Sequence, residues 1–303
     1  MKQKLAVFCG GISPERDVSL VSGKNVFDAL KDKFDAVLVR LDENKLPDGL
    51  NPADTVIYPA MHGDYGEDGT LQEQLEAAGF SYAGCGPLSS RVCMVKPAAK
   101  AVLKFAGLPT ARAIEFSADD KPSAETLFEL FPNGSIVKPA DKGSSVGLIT
   151  VKTPADAEAG LKTISEGQWL AEEFRRGREF SIGVIYGKAA GVVEITPEGG
   201  VYDFKRKYTA GSTRYDFPAK ISDAFSSAMR DAAERAFAAC GCRDFARVDF
   251  IGNDESDFVI LEINTLPGMT PTSLLPKSAS CVGYDFKSLC EKLAEGAVSR
   301  LRK

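Results

Sequence analysis

The sequence predicts a parallel α/β layer followed by a mixed α+β region. Three observations carry this. Strand-like runs at 5–9, 35–40 and 55–60 alternate with helical periodicity at 18–30 and 69–78, the pattern of strands joined by crossover helices. Beyond Pro109 the pattern changes to short strand-like runs that come in neighbouring pairs. Amphipathic segments at 222–240 and around Phe286, Leu289, Leu293 and Val298 supply helices to that second region.

Taken in order, residues 5–9 read as a strand, Gly10-Gly11 as a turn, and 18–30 as the helix that follows. A short extended run at 80–83 closes the first layer near residue 90. A helix is predicted over 96–107, with Pro97 in its first turn. Strands follow at 111–116, 135–139, 148–152 and 169–174, with helical stretches near 124–130 and 155–165. Residues 179–186 and 190–195 form a hairpin around Gly187-Lys188, and 247–251 and 258–263 a second one.

The 303 residues suffice for roughly two domains of 100–200 residues. A hydrophobic share of 44% and a charged share of 26% are ordinary for a globular chain able to bury a core without staples. With 37 basic against 42 acidic residues the net charge is −5, so nothing favours nucleic acid or an anionic membrane surface. Seven cysteines without repeating spacing, and one histidine, His62, read as free thiols in a reducing compartment. The first ten residues lack a signal-peptide core, and no apolar run approaches the roughly 20 residues of a membrane span. The expected location is the cytoplasm.

Two stretches carry chemistry. "KPADKGSSVG" at 138–147 places a Gly/Ser loop between two strands, with Lys138 at its base. Backbone N–H groups of 143–147 can turn inward to make a nest for an anion, and Lys138 can add a point charge. The loop lacks the Gly-Lys-Ser/Thr ending of a P-loop, and on its own it reads first as an ordinary hairpin loop. "ARVDF" at 246–250 and "LEINTLPGMT" at 261–270 are adjacent strands. Alternation sets Arg247 and Asp249 on one face, and Glu262 and Asn264 on one face. Asp249, Glu262 and Asn264 are hard oxygen ligands suited to Mg²⁺ beside phosphates, and Arg247 suits a developing oxyanion. A solvated salt link on a hairpin face is the competing reading.

Together these stretches resemble the D-alanine–D-alanine ligases, a family of the ATP-grasp superfamily. The similarity runs over nearly the whole chain, through "GGISPERDVSL" (10–20), "HGDYGEDGTLQ" (62–72), "KPADKGSSVG" (138–147), "GREFSIGV" (177–184), "KYTAGSTRYDFPA" (207–219), "RVDF" (247–250) and "EINTLPGMTPTSLLP" (262–276). The resemblance implies an ATP-grasp fold with an N-terminal parallel α/β domain. It implies a substrate-binding domain over 1–95, a central lobe over 96–180 and a C-terminal lobe over 181–303.

It also implies roles. Glu15 would bind the first D-alanine's ammonium and join Ser144 and Tyr208 in a hydrogen-bonded triad. Lys96, Lys138, Ser144, Ser145 and Lys207 would contact nucleotide phosphates. Glu172, Glu173, Phe174 and Glu179 match the segment that grips adenine and ribose, with carboxylates at a strand edge accepting ribose hydroxyls. Arg247 and the Gly268 N–H would form an oxyanion hole, and Asp249, Glu262 and Asn264 would hold two Mg²⁺ or Mn²⁺ ions. Ser273 and Leu274 would receive the second D-alanine's carboxylate, and His62 heads a substrate-facing loop.

On residue type alone, the competing readings are a helix N-terminal acid for Glu15, a helix cap for Ser273 and a packing residue for His62. Two departures from the family pattern stand out: Val95 replaces an aspartate, and Glu173 a frequent lysine. The expected reaction joins two D-alanines through an acyl phosphate at the expense of ATP, for peptidoglycan, with 205–214 as a lid over the intermediate. The expected assembly is a homodimer. A D-alanine–D-lactate ligase shares the fold but lacks the pair present here as Lys207-Tyr208. A non-catalytic ATP-binding module would have lost a metal ligand or Arg247.

Overall fold

Leu5 to Gly10 are buried throughout, which makes the first strand the middle of a sheet rather than its edge. In the computed structural model, which describes residues 2–143, 146–197, 213–253, 257–270 and 272–302, β1 (Lys4–Gly10) runs parallel to β2 (Asp35–Leu41) and β3 (Thr55–Pro59). β4 (Ser81–Tyr82) completes the order β2-β1-β3-β4. Helix α1 (Arg16–Leu30) crosses from β1 to β2, and α2 (Asp64–Glu67) and α3 (Thr70–Ala77) lie between β3 and β4. α4 (Pro87–Met94) and α5 (Lys96–Phe105) lead out of this layer.

The second region holds two antiparallel sheets. One is β5 (Ala113–Ser117), β6 (Ser135–Pro139), β7 (Ile149–Val151) and β8 (Gln168–Glu173), ordered β5-β8-β6-β7, with α6 (Ala124–Leu130) and α7 (Pro154–Thr163). α7 opens with a capping box between Thr153 and Asp156. The other is β9 (Arg178–Ile185), β10 (Lys188–Pro197), β11 (Thr213–Asp216), β12 (Phe245–Asn253) and β13 (Asp257–Asn264), ordered β11-β10-β9-β12-β13. Against it packs α8 (Asp223–Ala239), capped by Ser222, which buries Phe225, Met229, Ala232, Ala233, Ala236 and Phe237 at helical spacing. α9 (Leu274–Ser280) and α10 (Phe286–Leu301) end the chain.

The α/β and α+β division read from the sequence is present, with three differences. The 180/181 boundary expected between lobes falls inside β9. Helix α10, expected in the last lobe, places Leu289, Cys290, Leu293, Ala294 and Ala297 in the core of the first sheet. Periodicity also missed α2, α4, α9 and β11, each of eight residues or fewer. All seven cysteines are free, with Cys9, Cys85, Cys93, Cys240 and Cys290 buried. Among the described residues no helix is long and apolar enough to cross a membrane.

One buried carboxylate joins these layers. Asp244, at a left-handed φ of 56° just before β12, accepts from both Arg300 terminal nitrogens at 2.9 and 2.6 Å and from the Gly84 N–H at 2.9 Å. Arg243 donates to the Gly84 carbonyl at 2.8 Å and lies 4.4 Å from the Tyr82 ring centre. Gly296 of α10 lets the helix approach: a Cβ there would lie 2.3 Å from Asp244 Oδ1. Gly296→Ala gains helix propensity but overpacks this contact, so we expect a net loss of about 1–3 kcal/mol, measured by the chemical denaturation midpoint. An unchanged or raised midpoint would show that the contact yields freely.

Candidate active site

A cavity of about 760 Å³ opens where the C-terminal ends of the first sheet meet the β12–β13 face and α9. It gathers Glu15, His62, Lys96, Arg247, Glu262, Asn264, Gly268, Ser273 and Leu274 from segments far apart in sequence. Ser144, Ser145, Lys207 and Tyr208, and most of the expected lid, lie outside the described residues.

The β12–β13 register fixes the chemical face. Arg247 pairs with Asn264 and Asp249 with Glu262, so the four side chains named from alternation do share one face. Arg247 Nε and Nη2 donate to Asp249 at 2.9 and 2.7 Å, and Ser181 of β9 donates to Asp249 Oδ1 at 2.6 Å. Asn264 Oδ1 accepts from the Leu266 N–H at 3.0 Å, turning the chain out of β13. Among the described residues no three His, Cys, Asp or Glu side chains group to hold a metal. Two carboxylates plus the Asn264 amide nevertheless form a hard-oxygen set that suits a divalent cation.

A hydrogen-bond path ties the first layer to the turn after β13. Ser22, buried on α1, accepts from the Met269 N–H at 3.2 Å and lies 3.0 Å from His62 Nε2. Because Met269 donates into the Ser22 oxygen, the hydroxyl hydrogen can point to Nε2, leaving Nδ1–H to face Glu67 Oε1 at 3.4 Å. Burial pushes the Glu67 carboxyl up, against the opposing pull of His62. Ser13 donates to the His62 carbonyl at 2.8 Å. Glu15, only 8% exposed, is at the cap position of α1.

The turn itself is compact. Ser273 Oγ accepts from the Thr270 N–H at 3.0 Å and bonds Thr270 Oγ1 at 2.8 Å. It holds the cap position of α9 but makes no side-chain cap bond into that helix. A Cβ on Gly268 would lie 2.9 Å from this hydroxyl, so the close approach needs glycine.

Lys96 begins α5; its N–H donates to the Ala140 carbonyl at 2.8 Å and its ammonium to the Lys142 carbonyl. Burial pushes this ammonium's pKa down. The chain leaves Gly147 toward β7, not into a helix, so the Gly/Ser stretch does connect two antiparallel strands.

Glu172 differs from expectation. Its strand, β8, is interior, paired on both sides by β5 and β6, so its carboxylate does not stand at a strand edge. Its oxygens meet Lys100 at 2.8 Å and Lys138 at 2.6 Å. Burial alone would raise this carboxyl, but the two ammoniums outweigh it and hold it below its ordinary value. Lys100, unread from the sequence, is buried and has its ammonium's pKa pushed down by that burial. Glu173 pairs with Arg112, and the Glu173 and Phe174 N–H groups donate to the Arg112 and Gly134 carbonyls. Glu179, the second residue of β9, lies opposite Ile195 and Ile251.

Ser22 and Lys100 lie outside every motif, and Glu67 lies within the 62–72 motif without its side chain being given a role. Ser22 is one of several serines on a helix, and Lys100 looks like a solvated cation until its partner's position is known.

Removing Glu172 leaves two buried ammoniums facing each other. Glu172→Gln should cost about 3–5 kcal/mol near neutral pH. A depressed folded-state carboxyl stabilises above its ordinary value of 4.5, and that stability is lost as pH falls through the lowered folded value. The gap between the two proteins should therefore narrow below pH 4.5 in urea titrations. A gap independent of pH would contradict the ionised triad.

Known proteins resemble this chain over nearly its whole length. Residues 102–295 match the family described as "D-ala D-ala ligase C-terminus". The D-alanine–D-alanine ligase of Acidiphilium cryptum (strain JF-5) is 40% identical over 306 residues, spanning 99% of this chain and 100% of that protein. That of Anaeromyxobacter sp. (strain Fw109-5) is 41% identical over 307 residues, spanning 97% of each. The D-alanine–D-alanine ligase structure from Bacillus anthracis complexed with ATP superposes with a TM-score of 0.85 at 28% identity, covering 99% of both chains. The VanG D-Ala:D-Ser ligase from Enterococcus faecalis gives 0.86 at 27% identity, over 98% of this chain and 100% of that one. The parallel layer and the two antiparallel sheets are thus those of the ATP-grasp fold. With the family match and full-length identity near two residues in five, the chain belongs to the D-alanine–D-alanine ligases.

Proposed function

We propose that the protein forms D-alanyl-D-alanine from two D-alanines and ATP, releasing ADP and phosphate, for peptidoglycan synthesis. The observation that carries this is the convergence of Glu15, Arg247, Gly268 and Ser273 on one cavity. An acid for an ammonium, two donors for an oxyanion and a hydroxyl for a carboxylate are the groups that joining two amino acids requires.

A free carboxylate does not form an amide because oxide is a poor leaving group. Phosphorylation splits the problem into two easier steps. Glu15 holds the first D-alanine by its ammonium, so that its carboxylate attacks the γ-phosphorus and ADP leaves. Lys96 and Lys138 stabilise the phosphates, with Lys138 held in place by Glu172 rather than Glu172 accepting ribose. Glu173, Phe174 and Glu179 border the adenine and ribose. The second D-alanine, held through its carboxylate by Ser273 and Leu274, attacks the acyl carbonyl with its neutral amine. Arg247 and the Gly268 N–H meet the oxyanion of the tetrahedral intermediate, which collapses with loss of phosphate.

Asp249, Glu262 and Asn264 would hold two divalent ions, Mg²⁺ or Mn²⁺, which when bound neutralise charge on the phosphates. Ser144, Ser145, Lys207 and Tyr208 keep their roles by family likeness: a triad with Glu15, contacts to phosphates, and exclusion of water by the 205–214 segment. His62 orients the first-layer side of the cavity through Ser22 and Glu67. A cytoplasmic homodimer is the assembly that the family suggests, which light scattering can measure.

The decisive assay is phosphate release with a panel of D-alanine, D-serine and D-lactate, with product masses. Release strictly dependent on D-alanine, giving the homodipeptide, is expected. ATP turnover without dipeptide would overturn the reading. Arg247→Ala should keep the fold and lower turnover by about 10²–10³, the usual cost of one oxyanion donor. Glu262→Gln should also remove most activity. Near-normal turnover of either variant at saturating D-alanine would remove the assignment of this face.

A further inference from the structure

Lys277, the fourth residue of α9, stands in the wall between two cavities. One is the substrate cavity; the other, of about 550 Å³, opens between α1, Phe217 and the start of α10. Among the described residues lining them, Lys277 is the one they share. Its ammonium donates to the Thr272 carbonyl, immediately before Ser273. It also lies 4.7 Å from the Tyr215 ring centre and 5.9 Å from that of Phe217. Tyr215 belongs to β11, which among the described residues is the outermost strand beside β10. One side chain thus joins the Thr270–Ser273 turn to β11. Burial pushes its pKa down to about 8, so the ammonium remains charged at neutral pH.

The turn's shape sets the direction of the Ser273 hydroxyl, through its bonds to Thr270. We infer that Lys277 is a positioning residue for the second D-alanine: it holds the Thr270–Ser273 turn against β11 and closes the cavity wall behind Ser273. This rests on the ligase reading above. Without the ammonium, the Thr272 carbonyl loses its donor and the turn separates from the strand. Glu15 and the Arg247 face lie on other elements, so the first substrate and ATP keep their contacts.

The test is initial-rate kinetics on the full chain, with D-alanine dependence resolved into first-site and second-site constants. Lys277→Met keeps the stem and removes the charge; Lys277→Arg keeps the charge and can still stack on Tyr215. In the Met variant the second-site KM should rise about tenfold, as a charged hydrogen bond and a cation–π contact are lost together. Its kcat should change by less than about twofold, since no transition-state contact is removed. First-site and ATP constants should stay put, and Lys277→Arg should recover most of the loss. An unmoved second-site KM, or equal losses in the Arg and Met variants, overturns the inference, as does a parallel rise of all three constants. Should Lys277→Met not fold, Tyr215→Leu removes the ring beneath the ammonium, and an unchanged second-site KM there overturns it as well. A wild-type protein that makes no D-alanyl-D-alanine would overturn the ligase reading and this inference together. Dipeptide formation with an unmoved second-site KM would sink only the latter.

Discussion

The chemical face of the molecule depends on one irregularity in β13. Pairing with β12 shifts between Asp249 and Phe250, so that Asp249 faces Glu262 but Phe250 faces Ile260, and Leu261 is the extra residue. In a regular strand Ile260, Glu262 and Asn264 would share a side. The shift instead puts Ile260 and Ile263 in one apolar core and leaves Glu262 and Asn264 to line the cavity. A regular strand would either bury an unpaired carboxylate or expose an isoleucine, and burying an unpaired charge is the far costlier choice. Arg247, Asp249 and Ser181 are then set by the registers of β12 with β13 and β9.

Around that face the protein fixes charge with buried pairs. Lys100 reaches Glu172 from α5, and Lys138 reaches it from β6. Lys138 sits diagonally from Glu172 across the β6–β8 ladder, where long side chains can meet. Such a triad is a weak source of stability relative to an apolar core, but breaking it is expensive. Its effect is positional: it holds the Lys138 ammonium in one place on β6, just before the loop at 143–147.

The second theme is coupling between the first layer and the turn at 264–273. Ser22 accepts from Met269 while contacting His62, and His62 faces Glu67. Asp244 and Arg300 bind α10 to the end of β4 and the start of β12. A ligase that transfers an acyl group from its phosphate to an amine needs both halves of the cavity in register, because misplacement of the attacking amine by about 1 Å can cost on the order of 10² in rate. These contacts tie the first layer to the turn at 264–273 and to the start of β12.

The sequence by itself determined the elements long enough to show a period: β1, α1, α5, α8, α10 and the β9–β10 and β12–β13 hairpins. It also determined the chemical types at the site, because Arg247-x-Asp249 and Glu262-x-Asn264 follow the two-residue repeat of a strand, and seven ordered motifs matched one family. The tertiary structure alone decided that α10 packs into the first core, that β8 is interior, and that Leu261 forms a bulge. It alone revealed Lys100, Ser22 and Glu67 as partners of residues that motifs had named. Period and residue type are local properties of the chain. Which face is buried, which strand is an edge and which charge meets which are set by segments tens to hundreds of residues away, and no local pattern encodes them.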